Sequence, residues 1–137
     1  MQSFLADTQI LLWSMREPRR LPASTQKALS DPEVDAAFSV VSIWEIAIKA
    51  NLGRAEFSVD AREARSVLLR DGWRELGFGG EHALLAGALP LHHADPFDRA
   101  LVAQARVEKI ELLTSDRRLK AYGPNVRYFR PTGASRS

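Results

Sequence analysis

The chain has 137 residues, enough for one domain with a buried core and too few for two ordinary domains. Hydrophobic residues make up 45% and charged residues 26%, so a disordered or fibrous protein is excluded. Because cysteine is absent, disulfides, thiolate metal sites and a cysteine nucleophile are excluded as well. No apolar run is long enough to span a bilayer, and the N-terminus lacks a basic signal region. We therefore expect a cytoplasmic protein.

The charge of the chain is unevenly distributed. Nineteen basic and seventeen acidic residues give a net charge of +2. From residue 117 onward the chain carries basic residues and no acidic ones, namely Arg117, Arg118, Lys120, Arg127, Arg130 and Arg136. This basic segment favours contact with phosphates or an acidic partner, and it also fits a segment that only keeps the protein soluble.

The first half of the chain alternates short apolar runs with helical patterns. Residues 4–6 predict a buried strand, and residues 8–15 carry apolar side chains at helical spacing. A proline-containing loop over 17–22 and a short helix to about Ser30 follow. Residues 36–41 predict a second strand, and residues 42–52 predict a helix that ends at Gly53. In that helix Trp44, Ile48 and Leu52 form one apolar column, which predicts that Trp44 packs in the core, as Trp13 does in the first helix.

The second half continues the alternation. Asp60 caps a helix over 60–70, and Gly79 and Gly80 begin a small helix that ends at about Leu89. Asp95 and Pro96 begin the next helix. Residues 110–114 and 126–129 predict strands, with a short helix over 116–121 between them. This order predicts an α/β sandwich with a mainly parallel sheet covered on both faces.

Acidic residues lie where strands end or helices begin. They are Asp7, Glu45, Asp95, Asp98 and Asp116. Carboxylates are the ligands that a hard divalent cation such as Mg²⁺ prefers, and the carboxyl ends of parallel strands meet at one edge of the sheet. Taken singly, the acids also fit helix caps; Glu45, for example, follows Ser42 at the capping-box spacing and precedes Lys49 at the spacing of a surface ion pair. Both interpretations stay open on spacing alone.

Four motifs resemble those of the PIN-domain ribonucleases, in particular the VapC-type toxins of type II toxin–antitoxin systems. The motifs are Phe4-Leu-Ala-Asp-Thr8 with Leu11-Leu-Trp13, Val41-Ser-Ile-Trp-Glu-Ile-Ala-Ile-Lys49, Leu89-Pro-Leu-His-His-Ala-Asp-Pro-Phe-Asp-Arg99 with Leu101-Val-Ala-Gln-Ala105, and Leu112-Leu-Thr-Ser-Asp116. Their order and spacing agree from residue 4 to about 130. The resemblance implies a PIN-like three-layer α/β/α sandwich over 1–131, and we expect residues 132–137 to form a flexible tail.

The resemblance also implies an activity and a site. The expected protein is an endoribonuclease toxin that uses Mg²⁺ or Mn²⁺ and a metal-activated water to cleave RNA, with tRNA or rRNA as the expected substrate. Asp7, Glu45, Asp98 and Asp116 match the acidic quartet of the family, and Asp95 matches an additional acid of this subgroup. Thr114 and, more weakly, Thr8 match hydroxyl positions near the site. A cognate antitoxin and a homodimer, or a larger complex of the two proteins, are the expected partners.

Basic and aromatic side chains offer further candidates. Arg99, Arg117 and Arg118 lie nearest to the acids in sequence and could bind the RNA backbone, although each also fits a plain surface arginine. The pair His92 and His93 could contact metal or substrate, but a histidine pair ahead of a helix is more often structural.

The sequence disfavours one other function class and leaves a second one open. An aspartyl-nucleophile phosphatase would need a second aspartate two residues after Asp7, where this chain has Gln9. A non-catalytic PIN-like module that binds RNA or a partner stays open, because a sequence with intact acids does not prove activity.

Overall fold

The fold is built on a five-stranded sheet. The computed structural model describes residues 2–132. The strands are β1 (Ser3–Ala6), β2 (Asp35–Ser39), β3 (Arg74–Leu76), β4 (Glu111–Thr114) and β5 (Val126–Tyr128). Their order is β3-β2-β1-β4-β5, and every neighbouring pair is parallel. The strands β2 and β3 therefore lie on one side of β1, and β4 and β5 lie on the other. Because the direction in which strands are added changes between β1 and β4, a crevice forms at the carboxyl ends of these two strands.

Helices cover both faces of this sheet. They are α1 (Thr8–Arg16), α2 (Ala23–Leu29), α3 (Val40–Asn51), α4 (Ala61–Arg70), α5 (Gly80–Ala88) and α6 (Pro96–Glu108), and short 3₁₀-helices span Pro18–Arg20, Ala55–Phe57 and Arg117–Tyr122. Within residues 2–132, no helix combines the length and the apolar character that crossing a membrane requires.

Two apolar clusters, one on each face, hold the layers together. Leu5 of β1 packs in one cluster with Leu101 of α6, whereas its neighbour Phe4 packs in the other with Leu11 of α1. Successive side chains of a strand point to opposite faces, so a strand that is apolar at every position is buried on both sides. The predicted three-layer α/β/α sandwich with a parallel sheet is therefore confirmed.

Helix α6 is fixed to the sheet by a buried amide. Gln104 is completely buried; its Oε1 accepts a hydrogen bond from Ser39 Oγ at 2.6 Å, and its Nε2 donates to the Gly77 carbonyl at 3.0 Å. Ser39 ends β2 and Gly77 follows β3, so one side chain holds α6 against the carboxyl ends of two strands. The far end of α6 is Lys109, whose left-handed backbone (φ 59°) takes the position that glycine usually occupies after a helix.

Several details differ from the sequence predictions. The strand β3 was not predicted, and α3 begins two residues earlier than expected, with Ser39 rather than Ser42 as its N-cap. The buried stripe of α3 consequently contains Val41, Ser42, Glu45 and Ile46. Trp44 is 61% exposed, so the prediction that it packs in the core is wrong, whereas the same prediction for Trp13 is confirmed.

The C-terminal prediction is tested only at its first residue. Thr132 donates its backbone N–H to the Arg20 carbonyl at 2.9 Å, so the packed part of the chain reaches this residue. The rest of the expected tail, residues 133–137, lies outside the described residues. The single-domain division over 1–131 stays a prediction.

Candidate metal centre

Two of the predicted acids meet because their strands are neighbours. Asp7 directly follows β1, and Asp116 follows β4 by two residues. The pairing of the two strands extends to Asp7, whose backbone N–H donates to the Leu113 carbonyl at 3.0 Å. The topology thus brings residues from opposite ends of the chain to one crevice.

A buried threonine links these two acids. Thr114 is completely buried, and its hydroxyl donates to Asp7 Oδ2 at 2.5 Å while it accepts the backbone N–H of Asp116 at 3.0 Å. The other oxygen of Asp7 accepts the Ile10 N–H at 2.9 Å and caps α1. Asp7 is therefore both a helix cap and a residue of the crevice.

Two helices supply the remaining acids. Glu45 lies in the buried stripe of α3, where its Oε1 accepts the hydroxyl of Thr8 at 2.6 Å and its Oε2 lies 2.6 Å from Lys49 Nζ. The side chain of Lys49 is only 16% exposed, so the expected surface ion pair is in fact a largely buried one. Asp98 lies in the first turn of α6 above the buried Val102.

The additional acid Asp95 has a capping role. Its Oδ1 accepts the N–H groups of Phe97 at 2.8 Å and of Asp98 at 3.3 Å, which fixes the start of α6. Its Oδ2 lies 3.9 Å from Lys49 Nζ. Asp95 therefore orients Asp98 and also adds negative charge to the crevice.

A histidine completes the acidic group. The Nε2 atom of His93 hydrogen-bonds Asp116 Oδ2 at 3.0 Å and lies 3.2 Å from Asp98 Oδ2. Each of these three residues offers a ligand atom, and the three atoms lie within 4.8 Å of one another. The sequence pattern did not single out His93, because its contact with Asp116 arises only in the tertiary structure. The neighbouring His92 instead packs its ring edge-on against Tyr122.

Three of the acids, Asp7, Asp98 and Asp116, have pKa values that depart from those of free carboxyl groups. Burial, as the largest cause, and the charges of Asp95, Asp7, Glu45 and Asp116 together raise the pKa of Asp98 to about 8. Burial also raises the pKa of Asp7 to about 6, against the lowering effect of its hydrogen bonds. Burial acts to raise the pKa of Asp116 too, but hydrogen bonds from Arg118 and His93 bring it below its ordinary value.

Basic side chains stand on the rim of this site. The acids line a cleft of about 580 Å³, which is also lined by Gln9, Lys49, Arg54, Ser115, Arg117 and Arg118. The guanidinium of Arg118 forms a fork with the carboxylate of Asp116, with both N···O distances at 3.1 Å, and its side chain is 69% exposed. Arg117 is also exposed.

Arg99 does not belong to this rim. Its guanidinium donates to the carbonyls of Ala86, Leu89 and Pro90 at 3.0 Å each, so it holds the end of α5 and the following loop. These bonds commit donors of Arg99 to the protein's own backbone, which makes it a poorer candidate for the RNA backbone than Arg117 and Arg118, and its contact with RNA stays a prediction.

The donor set of the cleft fits a hard divalent cation. Carboxylate oxygens from four separate segments converge there, and burial plus repulsion from neighbouring carboxylates disfavours the ionised forms of Asp7 and Asp98 in the absence of a counter-ion. Among the described residues, Asp7 and Asp98 form no ion pair with a lysine or arginine, the only such partner of Asp116 is the exposed Arg118, and Glu45 is paired with the largely buried Lys49. An exposed arginine can move away when an ion binds, whereas the buried lysine is held in place. Asp7, Asp98 and Asp116 are therefore the residues that would hold an ion.

Comparison with known proteins agrees with this fold. The chain is 28% identical over 123 residues to Ribonuclease VapC22 of Mycobacterium tuberculosis, covering 89% of this chain and 93% of the relative. Among solved structures it is similar to a chain of VapBC2 from Rickettsia felis bound to a DNA fragment from their promoter (TM-score 0.68, 14% identity, 93% of this chain and 99% of the other). It is also similar to a chain of a toxin–antitoxin complex from Klebsiella pneumoniae (TM-score 0.66, 19% identity, 92% and 98%).

The sequence profile of the PIN domain matches residues 4–124. This range contains all five predicted acids, and it confirms the resemblance drawn from the four motifs. The chain belongs to the PIN domain family.

Proposed function

We propose that the protein is a VapC-type endoribonuclease toxin that cleaves RNA phosphodiester bonds with Mg²⁺ or Mn²⁺ and is neutralised by a cognate antitoxin. The observation that carries the proposal is the convergence of Asp7, Glu45, Asp98 and Asp116 on one cleft at the carboxyl edge of the sheet. The similarity to Ribonuclease VapC22 supports the choice of RNA as substrate.

The acids and their neighbours have distinct roles in this proposal. Asp7, Asp98 and Asp116 would hold the ion, which would polarise a phosphate and supply hydroxide near neutral pH when bound. Thr114 fixes the carboxylate of Asp7 through its hydroxyl. Glu45, held by Thr8 and Lys49, orients the attacking water from the α3 side of the cleft.

The basic residues of the cleft would bind the substrate backbone. Arg117 and Arg118 are exposed at the rim, where an RNA phosphate could reach them. Lys49 lies deeper and stabilises negative charge that develops on the phosphate. Arg118 must exchange part of its fork with Asp116 for a phosphate, so its contribution is expected to be moderate.

The proposed partners rest on the comparisons. Structures similar to this chain include VapBC complexes and a toxin–antitoxin complex, which supports an antitoxin that covers this toxin. We further propose a homodimer, since closed two-fold symmetry is the commonest arrangement of identical chains.

The test is a comparison of RNA ends in cells. RNA is sequenced shortly after induction of the wild-type protein, of Asp7→Asn and of Asp71→Asn, whose exposed carboxylate lies outside the cleft. We expect new 5′-phosphate and 3′-hydroxyl ends with the wild type and Asp71→Asn, and none with Asp7→Asn. Identical end profiles for all three would contradict the ribonuclease proposal, and binding of Mn²⁺ without new ends would favour the non-catalytic binding module.

A further inference from the structure

We propose that His93 is a positioning residue that holds the carboxylates of Asp98 and Asp116 close together in the cleft and does not itself bind the metal. This inference rests on the proposed function, because it concerns the same acidic cleft. The distances from His93 to Asp98 and Asp116 would fit a metal ligand as well as a positioning residue.

The imidazole of His93 is held rigidly in place. Its side chain is 6% exposed, and its backbone N–H donates to the hydroxyl oxygen of Tyr122 at 3.2 Å. The Tyr122 hydroxyl in turn donates to the Pro90 carbonyl at 2.8 Å. The loop before α6 is therefore tied to the 3₁₀-helix that follows Asp116, and this fixes the backbone from which the ring extends.

A backbone hydrogen bond decides which ring nitrogen carries the proton. The N–H of Asp95 donates to His93 Nδ1 at 3.1 Å, so Nδ1 must present its lone pair. A hydrogen on Nδ1 would point at the amide hydrogen of Asp95 and leave that amide without an acceptor. The hydrogen of the ring therefore lies on Nε2.

The Nε2–H group faces the carboxylates of Asp98 and Asp116. It donates to Asp116 Oδ2 at 3.0 Å, and its positive end lies near Asp98 Oδ2, at an N···O distance of 3.2 Å. In this tautomer Nε2 carries the hydrogen and has no lone pair to offer, while the lone pair of Nδ1 accepts the N–H of Asp95. Nε2 therefore cannot coordinate an ion, although its distance to the two carboxylates would allow it. The ring instead acts as a neutral spacer that offsets the repulsion between two carboxylates.

The first experiment examines the wild-type protein directly. In the metal-free protein, ¹⁵N NMR of the imidazole nitrogens should show the Nε2–H tautomer for His93, assigned by the signal that disappears in His93→Gln. In the Mn²⁺-loaded protein, pulsed EPR should show no directly coordinated nitrogen. The Nδ1–H tautomer, or a ligand-nitrogen coupling that His93→Gln abolishes, would overturn the proposal.

The second experiment measures Mn²⁺ affinity by calorimetry. Removal of the donor in His93→Leu should weaken Mn²⁺ binding by about 10–100-fold, as is typical when a residue that orients metal ligands is lost. His93→Gln keeps an N–H donor of similar reach and should recover much of the affinity. Tyr122→Phe removes the bond that ties the loop to the 3₁₀-helix but leaves the ring donor, so its affinity should fall by less than that of His93→Leu.

The outcomes separate this inference from the proposed function. If the wild type binds Mn²⁺ and His93→Leu binds it equally well, only the positioning role fails. If the wild type binds no Mn²⁺, the metal-dependent function fails, and the positioning role with it. The NMR and EPR measurements need no variant other than the one used for assignment, so they keep the inference testable even where His93→Leu does not fold.

Discussion

The replacement Asp98→Asn is expected to stabilise the metal-free protein at high pH. Asp98 has a pKa raised from 3.8 to about 8 by burial and by neighbouring carboxylates. Between these two values the native state binds a proton that the unfolded state has lost, so the free energy of unfolding falls as the pH rises from about 4 to about 8. Asparagine keeps the shape of the side chain and removes this penalty.

The size of the effect follows from the pKa. At about 1.4 kcal/mol per pKa unit, the rise to about 8 corresponds to about 6 kcal/mol. Water reaches 19% of the Asp98 side chain and the neighbouring acids share the repulsion, so we expect about half of this gain, ~3 kcal/mol, in Asp98→Asn. Below about pH 4 both states are protonated and the gain disappears.

The assay is urea unfolding in the presence of a chelator, near pH 5 and near pH 9, with Asp71→Asn as the exposed control. In a parallel series with Mn²⁺, the wild type should gain stability by mass action, and Asp98→Asn should gain little. An Asp98→Asn protein whose advantage over the wild type does not grow between the two pH values would refute the reasoning. That result would mean that Asp98 is not desolvated among like charges.

Three further predictions concern single side chains. Thr114→Val removes the donor to Asp7 and the acceptor of the Asp116 N–H, and should lower the free energy of unfolding by about 1–3 kcal/mol in urea titrations. Lys109→Gly relieves a left-handed backbone and should raise the same quantity by about 1 kcal/mol. Arg118→Ala removes a rim charge and should weaken RNA binding by Asp7→Asn protein most at low salt, with the salt slope reduced by about 1 in a filter-binding series.

Each of these three has its own contrary outcome. Unchanged stability in Thr114→Val would mean that its hydroxyl is dispensable. A lower free energy of unfolding in Lys109→Gly would mean that the contacts of the lysine side chain stabilise the fold by more than its left-handed backbone destabilises it. For Arg118→Ala the matched control is Arg127→Ala, whose partner Glu111 lies away from the cleft. Equal effects of the two arginine variants would exclude a local role for Arg118.

The sequence predicted the layers of the fold because the central strands consist mainly of apolar residues. Runs such as Phe4-Leu5-Ala6 have no polar side to expose, so their place in a covered sheet follows from composition alone. The strand β3 escaped prediction because it has only three residues, and the first two, Arg74 and Glu75, are polar. Its pairing with β2 is a tertiary event that no local pattern records.

The buried face of α3 was predicted wrongly because polar residues of the cleft lie on it. Its apolar column through Trp44 suggested the buried side, but the structure turns Ser42 and Glu45 inward toward Thr8. Polar residues that serve a site invert the usual pattern of an amphipathic helix. His93 was undervalued for the related reason that its contacts with Asp98 and Asp116 arise only after the chain has folded.

Two of the acids use one oxygen for a helix and present the other to the cleft. Asp7 and Asp116 are each anchored by a backbone N–H at the start of the next helical segment, so neither carboxylate can swing outward to escape its neighbours. Removal of the ion by a chelator should therefore leave the backbone of the protein unchanged, while the carboxylates of the cleft remain close together and repel one another. Under the proposed function, the metal-free protein would keep the surface offered to an antitoxin, so the two proteins could assemble before any ion binds.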